Sequence, residues 1–580
     1  MPVRFRAMSG APANGGCDLD GGSWDRMRMS GVLAAANAVA RSAATPYHIV
    51  KSRAIAPPER LRIAPPDIRT ADPTVADEIY AGYFSFAGKT LQSYGESPFA
   101  LMPPSPAWRR ALAGFSWLRH LRAADKTLAQ ENARALVADF LAIKKLPPDD
   151  PALEPAVAAR RLLSFLAQSP VLLEGADAEF YDAFMLSLAQ SARLLWRALA
   201  TGQAQAADRA LSAIALAEFA VCADTGRKIA PQVSHALSAE LDRQILGDGG
   251  HVSRNPQILV DLLLDLLPLR QVLAARGLQT PPAMLRAIDR MMPTLRMLQH
   301  GDGSLALFNG MGATELDRLA SVLANEDTRG AAPLKAPYAG YQRLEAADAV
   351  VLVDAGAAPP PEFSLVSNAG CLSFEYSLGT ERVVVNCGAP APPHEDLREL
   401  ARATAAHSTL VIGDRSSARI ASKDAGRWRA GRLFEGPRHV TVERSDGPFG
   451  TTLLLTHDGY AKSFGFIHER ELILAADGSA LAGRDRLLGV EAGGLGPGEL
   501  EFTIRFHLHP RVRAVELSEA IELQLANGET LIFEVEGAFP AIEESIFFAS
   551  PGGARKCAQI VLRGKAAPGA EVSWSFQRAG

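Results

Sequence analysis

The sequence predicts a multidomain chain, an N-terminal α/α toroid followed by a C-terminal antiparallel β-sandwich. Three observations predict it. Apolar residues recur at helical spacing from about Pro73 to Arg329. After about Lys335 the period switches to two, and D-G, N-G and E-G turns punctuate the alternating runs. The 580 residues exceed what one core supports, so helices first and strands second mean separate domains.

Residues 1–60 read as a poorly structured or extended leader. Within it, "RMRMSGVLAAANAVARSAA" sets basic residues ahead of a short alanine-rich stretch. Asn37 interrupts that stretch and Arg41 closes it, so a short amphipathic helix competes with a signal peptide starting at Met27 or Met29. The proline-rich "IAPPERLRIAPPDIRTADP" predicts extended chain that wraps a domain. Residues 61–330 carry the helices, among them "LAQENARALVADFLAIKK", "EFYDAFMLSLAQSARLLWRAL" and "PQILVDLLLDLLPLRQVLAARG". Several end in Gly or Pro, as helix stops do. They are numerous, similar in length and shortly connected, with no strict repeat. That pattern favours a helical array or α/α toroid over a solenoid. Residues 331–580 carry strands such as "AVVLVDAG", "CLSFEYSLG", "TTLLLTHDGYAKSFG" and "EVSWSFQRAG", enough for a large antiparallel sandwich.

Composition excludes several functions. With 48% hydrophobic and 21% charged residues and a net charge of −4, the chain has no global attraction for nucleic acid or an anionic membrane. A local basic cleft for an acidic substrate stays open. No run approaches the ~18 apolar residues of a membrane span. The five cysteines are odd in number, widely spaced and without a C-x-x-C, which fits neither a disulfide scaffold nor a zinc ribbon. There is no P-loop, no dinucleotide fingerprint after a strand, no H-E-x-x-H and no G-x-S-x-G.

Two polar loops carry candidate chemistry. In "GDGGHVSRNPQIL" (247–259), His251 is a candidate base, and Arg254 or Asn255 a carboxylate ligand. The competing reading makes Asn255 the cap of a helix that Pro256 opens. In "HGDGSLALFNG" (300–310), His300, Asp302 and Asn309 either face the same cleft or belong to a structural hairpin. Tyr460 in "THDGY" and Tyr376 in "SFEYS" are candidate acids. Arg402 either pairs with an acidic ligand or bridges domains. His507 and His509, two apart on a strand, have metal-binding spacing without an identifiable third ligand.

"RATAAHSTLVIGDRSS" (402–417) resembles the "R-x-T-x-x-H-N-T" motif of the heparinase II/III family, and "AGCLSFEYS" (369–377) resembles its "H-A-D-A-L-S-F-E" strand. The similarity extends over "HDGYAKSFGFIHERELIL", "GRDRLL" and "FHLHP", and covers roughly residues 60 to 575. It implies a polysaccharide lyase that cleaves a uronate-containing, acidic glycan by β-elimination. Such chemistry needs a base at C5, an acid for the leaving oxygen and a group that neutralises the carboxylate. Carried over by position, the family's tyrosine falls on Ile258, its histidine on Asn368 and the adjacent aspartate on Gly370. Its helical Asn-His pair falls on Asp208 and Arg209, and the aspartate of its D-x-G turn on Asn386. Only His407 persists, as a metal or substrate ligand. The alternative is therefore a catalytically impaired glycan-binding or scaffolding protein, with Asn368 kept as a substrate contact. No cofactor is required on either reading, a structural zinc at His407 is open, and a homodimer is open. The resemblance implies the cell envelope or periplasm; the cytoplasm follows if the N-terminal segment is no signal.

Overall fold

The computed structural model describes residues 52–579 except 326–329, 392–393, 423, 427–428 and 491–499. The alanine-rich stretch and most of the leader thus lie outside the described residues. Where the leader is described it runs over the helices as extended chain. The Ile55 carbonyl accepts from Arg193 Nε at 2.8 Å, and the Arg62 amide bonds the Cys222 carbonyl at 2.7 Å.

Four of the helices start at a side-chain cap that satisfies a free amide. The helices are α1 (Pro73–Tyr80), α2 (Pro106–Gly114), α3 (Leu118–Ala123), α4 (Thr127–Leu141), α5 (Pro155–Leu173) and α6 (Ala178–Thr201). After them come α7 (Ala207–Cys222), α8 (Ala230–Gln244), α9 (Pro256–Ala275), α10 (Pro282–Met297) and α11 (Leu316–Leu323). Asp72, Ser105, Asp177 and Asn255 cap α1, α2, α6 and α9 with side-chain oxygens, and proline opens α1, α2 and α9. Gly202 ends α6 in the left-handed region at φ 76°. Helix α5 packs against α6 and α7, α7 against α8 and α9, and α8 against α10. Neighbours in sequence and alternate helices both touch, which makes a double-layered array. By length and composition α5 could cross a membrane, but 72% of its apolar window is buried among the other helices.

Two large antiparallel sheets follow. One has eight strands, in spatial order Val440–Gly447, Gly450–His457, Phe466–Ala475, Ala480–Gly489, Glu571–Arg578, Thr530–Glu536, Ile521–Gln524 and Arg513–Glu516. The other has nine. It runs Pro540–Phe547, Arg555–Lys565, Glu501–Leu508, Glu381–Val385, Phe374–Leu378, Ala349–Asp354, Tyr341–Ala346 and Lys335–Ala336, with Leu410–Ile412 also pairing Glu501–Leu508.

Side-chain alternation orders the layers. On Ala349–Asp354, Val350 and Leu352 join the helical core, while Ala349, Val351 and Val353 join the core between the two sheets. The nine-stranded sheet is therefore the middle layer, covered by helices on one face and by the eight-stranded sheet on the other. A strand covered on both faces needs apolar residues on both, which is why "AVVLV" reads as an unbroken apolar run.

Candidate functional site

A cleft of about 730 Å³ opens between the helical array and the middle sheet. Its helical wall is Gln257 and Asp261 on α9 with the segment Gly310–Arg318; its opposite wall includes Val366, Asn368, Pro390, Arg398 and Arg402. Glycines let the walls meet. A Cβ on Gly310, whose φ is 91°, would stand 2.6 Å from the Val366 carbonyl oxygen. Among the described residues no histidine and no tyrosine lines this cleft. Its cations and anions also balance. Asp261, Glu315 and Asp317 face Arg318, Arg398 and Arg402. Arg318 is already held by Asp261 at 2.5 Å and Glu315 at 2.9 Å.

The sequence-predicted catalysts lie beside the cleft, in a polar seam that locks the helices to the middle sheet. His251 is fully buried. Its Nδ1 accepts from the Ser253 hydroxyl at 2.7 Å and the Ser253 amide at 3.1 Å, so Nε2 carries the proton and donates to Gln244 Oε1 at 3.1 Å. Burial brings its pKa down to about 3. Both ring nitrogens are occupied and no substrate reaches them, so His251 is not the base that its loop suggested.

Arg254, at φ 65°, spends its guanidinium on the seam rather than on a ligand. Nε bonds the Ala339 carbonyl at 2.7 Å, Nη1 the Gly356 and Ala357 carbonyls at 3.0 and 3.1 Å, and Nη2 the Asp354 carboxylate and the Gly340 carbonyl. The group also lies over the Tyr341 ring, 5.0 Å from its centroid. A Cβ on Gly356 would come within 2.4 Å of Nη2, so glycine there leaves room for the guanidinium. Asn255 caps α9, its Oδ1 accepting from the Gln257 amide at 2.8 Å. That is the structural alternative of the sequence reading.

The second loop does the same work. His300 bonds Glu375 through Nε2 at 2.9 Å and Ser377 through Nδ1 at 3.0 Å. Glu375 also receives Arg382 at 3.1 Å and the Asn386 amide at 2.8 Å, and its pKa falls despite burial because Arg382 and His300 favour the anion. Asn309 Nδ2 donates to Asp354 and to the Tyr341 hydroxyl, both at 3.0 Å. Asp302 only closes its own turn, accepting from the Ser304 amide and hydroxyl. His300 and Asn309 thus converge on the seam, and Asp302 stays exposed at the hairpin.

Of the sheet-side candidates, Asn368 and Arg402 do line the cleft. Arg402 spends three of its five N–H groups on carbonyls of its own domain. Its guanidinium donates to the Ser367, Gly431 and Ser364 carbonyls at 2.8, 2.7 and 2.8 Å, and burial lowers its pKa to about 10. His407 donates from Nδ1 to the Ala403 carbonyl at 2.8 Å, and its Nε2 accepts from Asn368 Nδ2 at 2.8 Å. That leaves no lone pair for a metal. A side chain at Gly370 would stand 2.7 Å from His407 Cδ2, so the imidazole fills the place of an aspartate ligand. A zinc at His407 does not fit. Among the described residues no group of three His, Cys, Asp or Glu side chains could hold a metal. His507 bonds Ser545 and the Ala405 carbonyl.

Tyr460 is buried 50 residues downstream of its partner, donating to the Leu410 carbonyl at 2.9 Å. Tyr376 is buried in the core between the sheets. Neither is a candidate acid at the cleft. The sequence reading missed Asp261 and Arg318. A signal for Asp261 existed: in "QILVDLLLDLL" two aspartates four apart interrupt a leucine helix, which places them on one face.

Comparison with known proteins agrees with this architecture. The model for the Heparinase II/III-like C-terminal family matches residues 328–575. FtsZ-localized protein C from Caulobacter vibrioides is 31% identical over 541 residues, which are 90% of this chain and 91% of the relative. A solved structure of heparinase III aligns with 97% of this chain and 92% of its own, at 12% identity and a TM-score of 0.67. Heparan sulfate lyase HepC from Pedobacter heparinus aligns over 97% and 91%, at 15% identity and a TM-score of 0.57. At such identities the structures show a shared fold and nothing about activity. By its C-terminal domain, its architecture and its relatives, the chain belongs to the heparinase II/III family.

Proposed function

We propose that this chain uses a lyase fold for binding and scaffolding, at the place where FtsZ assembles, and does not catalyse β-elimination. One observation carries the reading: among the described residues no histidine or tyrosine lines the cleft. Proton abstraction at C5 and protonation of the leaving oxygen need an acid–base group within hydrogen-bond reach, and the carboxylates that line the cleft are engaged, Asp261 and Glu315 by Arg318 and Asp317 by Thr70. The balanced charge of the walls gives a polyuronate little to bind. The relative named for its localisation with FtsZ supports the cellular setting. We read residues 61–330 as the α/α toroid and 331–580 as the β-sandwich of the family, with the cleft at their junction.

A lyase reading rests on the cleft itself, whose volume and place at the junction suit an oligosaccharide. One pair of measurements separates the two. The purified chain is incubated with heparan sulfate, alginate and bacterial exopolysaccharides while the absorbance of an unsaturated uronate is followed. In parallel a fluorescent fusion is imaged with FtsZ in the native host. The binding reading expects no absorbance and a fusion that tracks FtsZ. Turnover of any glycan overturns it, as does a fusion that ignores FtsZ.

A further inference from the structure

The leader crosses a surface whose charge runs against that of the whole chain, which is −4. It wraps the short 3-10 helix Asp224–Lys228 that follows α7. The Ala56 carbonyl accepts from the Thr225 hydroxyl at 3.4 Å, the Glu59 amide donates to Asp224 Oδ1 at 3.2 Å, and Leu61 bridges Ala223. Those contacts bring Arg53, Arg60 and Arg62 of the leader beside Arg227 and Lys228. All five are exposed, and among the described residues none of them forms an ion pair with a carboxylate. Arg193 and Arg197 on α6 extend the patch, their Nε atoms donating to the Ile55 and Arg193 carbonyls at 2.8 and 3.2 Å. Within the patch the carboxylates are Glu59 and Asp224, and Asp224 already accepts the Glu59 amide. Glu179 and Asp182 in the first turns of α6 mark one border, where the Tyr181 hydroxyl donates to the Glu59 carbonyl at 2.9 Å.

Unpaired like charges on one face repel one another and sustain a positive potential, which an anionic ligand relieves. Details of the patch select among anions. Leu61 is half-buried against the helical core, so Arg60 and Arg62 leave the same side of an extended chain, about 6.6 Å apart. An extended polypeptide with acidic residues at alternate positions presents carboxylates at that same interval, and a guanidinium grips a carboxylate through two hydrogen bonds. Duplex nucleic acid instead carries a charge about every 1.7 Å of its axis. No large apolar side chain of 52–66 or 223–232 is exposed. The patch thus offers neither an aromatic platform for bases nor an apolar wedge for a bilayer.

We propose that this surface docks an extended, carboxylate-rich segment of a partner polypeptide. None of its residues lines the cleft, so it stands whatever the cleft binds.

Fluorescence anisotropy of the full chain with a labelled peptide of alternating Glu and Ser tests it. Saturable binding is expected, weakening about tenfold or more as NaCl rises from about 50 to about 300 mM. Arg60→Gln, Arg62→Gln, Arg227→Gln and Lys228→Gln together should weaken binding by about tenfold or more. If that variant does not fold, Arg227→Gln with Lys228→Gln replaces it, with a loss of about threefold expected. Lys126→Gln, Arg419→Gln, Lys462→Gln and Lys556→Gln together remove the same charge elsewhere and should bind within about threefold of the parent. Absence of saturable binding by the parent chain overturns the proposal, and so do equal losses in the two combined variants. Tighter binding of oligothymidylate or of phosphatidylglycerol vesicles than of the acidic peptide overturns it as well.

Discussion

The polar seam and the cleft lie side by side between the helices and the middle sheet, and they are built oppositely. The seam holds His251, Arg254, His300 and Asn309, residue types suited to catalysis, and hydrogen bonds occupy each of them. The cleft has room for a ligand, and among the described residues no histidine lines it. The difference teaches that polar residues in a loop ahead of a helix do not mark a site. A junction between two domains must satisfy its own buried backbone carbonyls and carboxylates, and the same residue types do that work.

The sharpest way to break this contrast is Arg254→Met. It strands the Asp354 carboxylate and several buried carbonyls, so it should cost about 3–5 kcal/mol of unfolding free energy in urea titration. A loss under about 1 kcal/mol would mean the seam is not a clamp.

Acid is the next largest effect. His251 and His507 are neutral in the folded chain, with pKa values held down to about 3 by burial. Unfolded, each takes a proton near its ordinary 6.5, so the unfolded state binds more protons as pH falls. Stability therefore declines from about pH 6.5 towards 3, by about 2 kcal/mol per histidine at pH 5. Glu375, whose folded pKa is lowered, adds its loss only below the ordinary carboxylate range. Urea midpoints at pH 7, 6 and 5 measure the slope, and His251→Gln should flatten it by about one proton's worth. An unchanged slope would remove His251 from the seam's buried set.

Smaller effects sharpen the comparison. Asn255→Ala removes the α9 cap and should cost about 1 kcal/mol. On the cleft side, Arg318→Ala removes partly exposed ion pairs and should change stability by less than about 1 kcal/mol. If it instead destabilises as much as the Arg254 variant, seam and cleft are one structural unit.

Local features were legible where local physics decides them. Asn255 and Pro256 announce the start of α9 because capping involves residues two apart. The apolar run at Ala349–Asp354 announces a strand buried on both faces. The departures from the resemblance were also readable: Ile258 and Asn368 stand where it calls for tyrosine and histidine. Gln244, seven residues from His251, and Asp354, a hundred from Arg254, gave no such warning. Their partnerships exist only once the helices dock.

By itself the sequence determined that helices precede strands, and that Ile258 and Asn368 stand where the resemblance calls for tyrosine and histidine. These follow from hydrophobic period, caps and motif positions, all properties of neighbouring residues. Tertiary structure alone decided that His251 and Arg254 are clamps and that, among the described residues, neither histidine nor tyrosine lines the cleft. Burial and pairing set those roles, because the cost of an unpaired charge or donor depends on what the rest of the chain brings within reach.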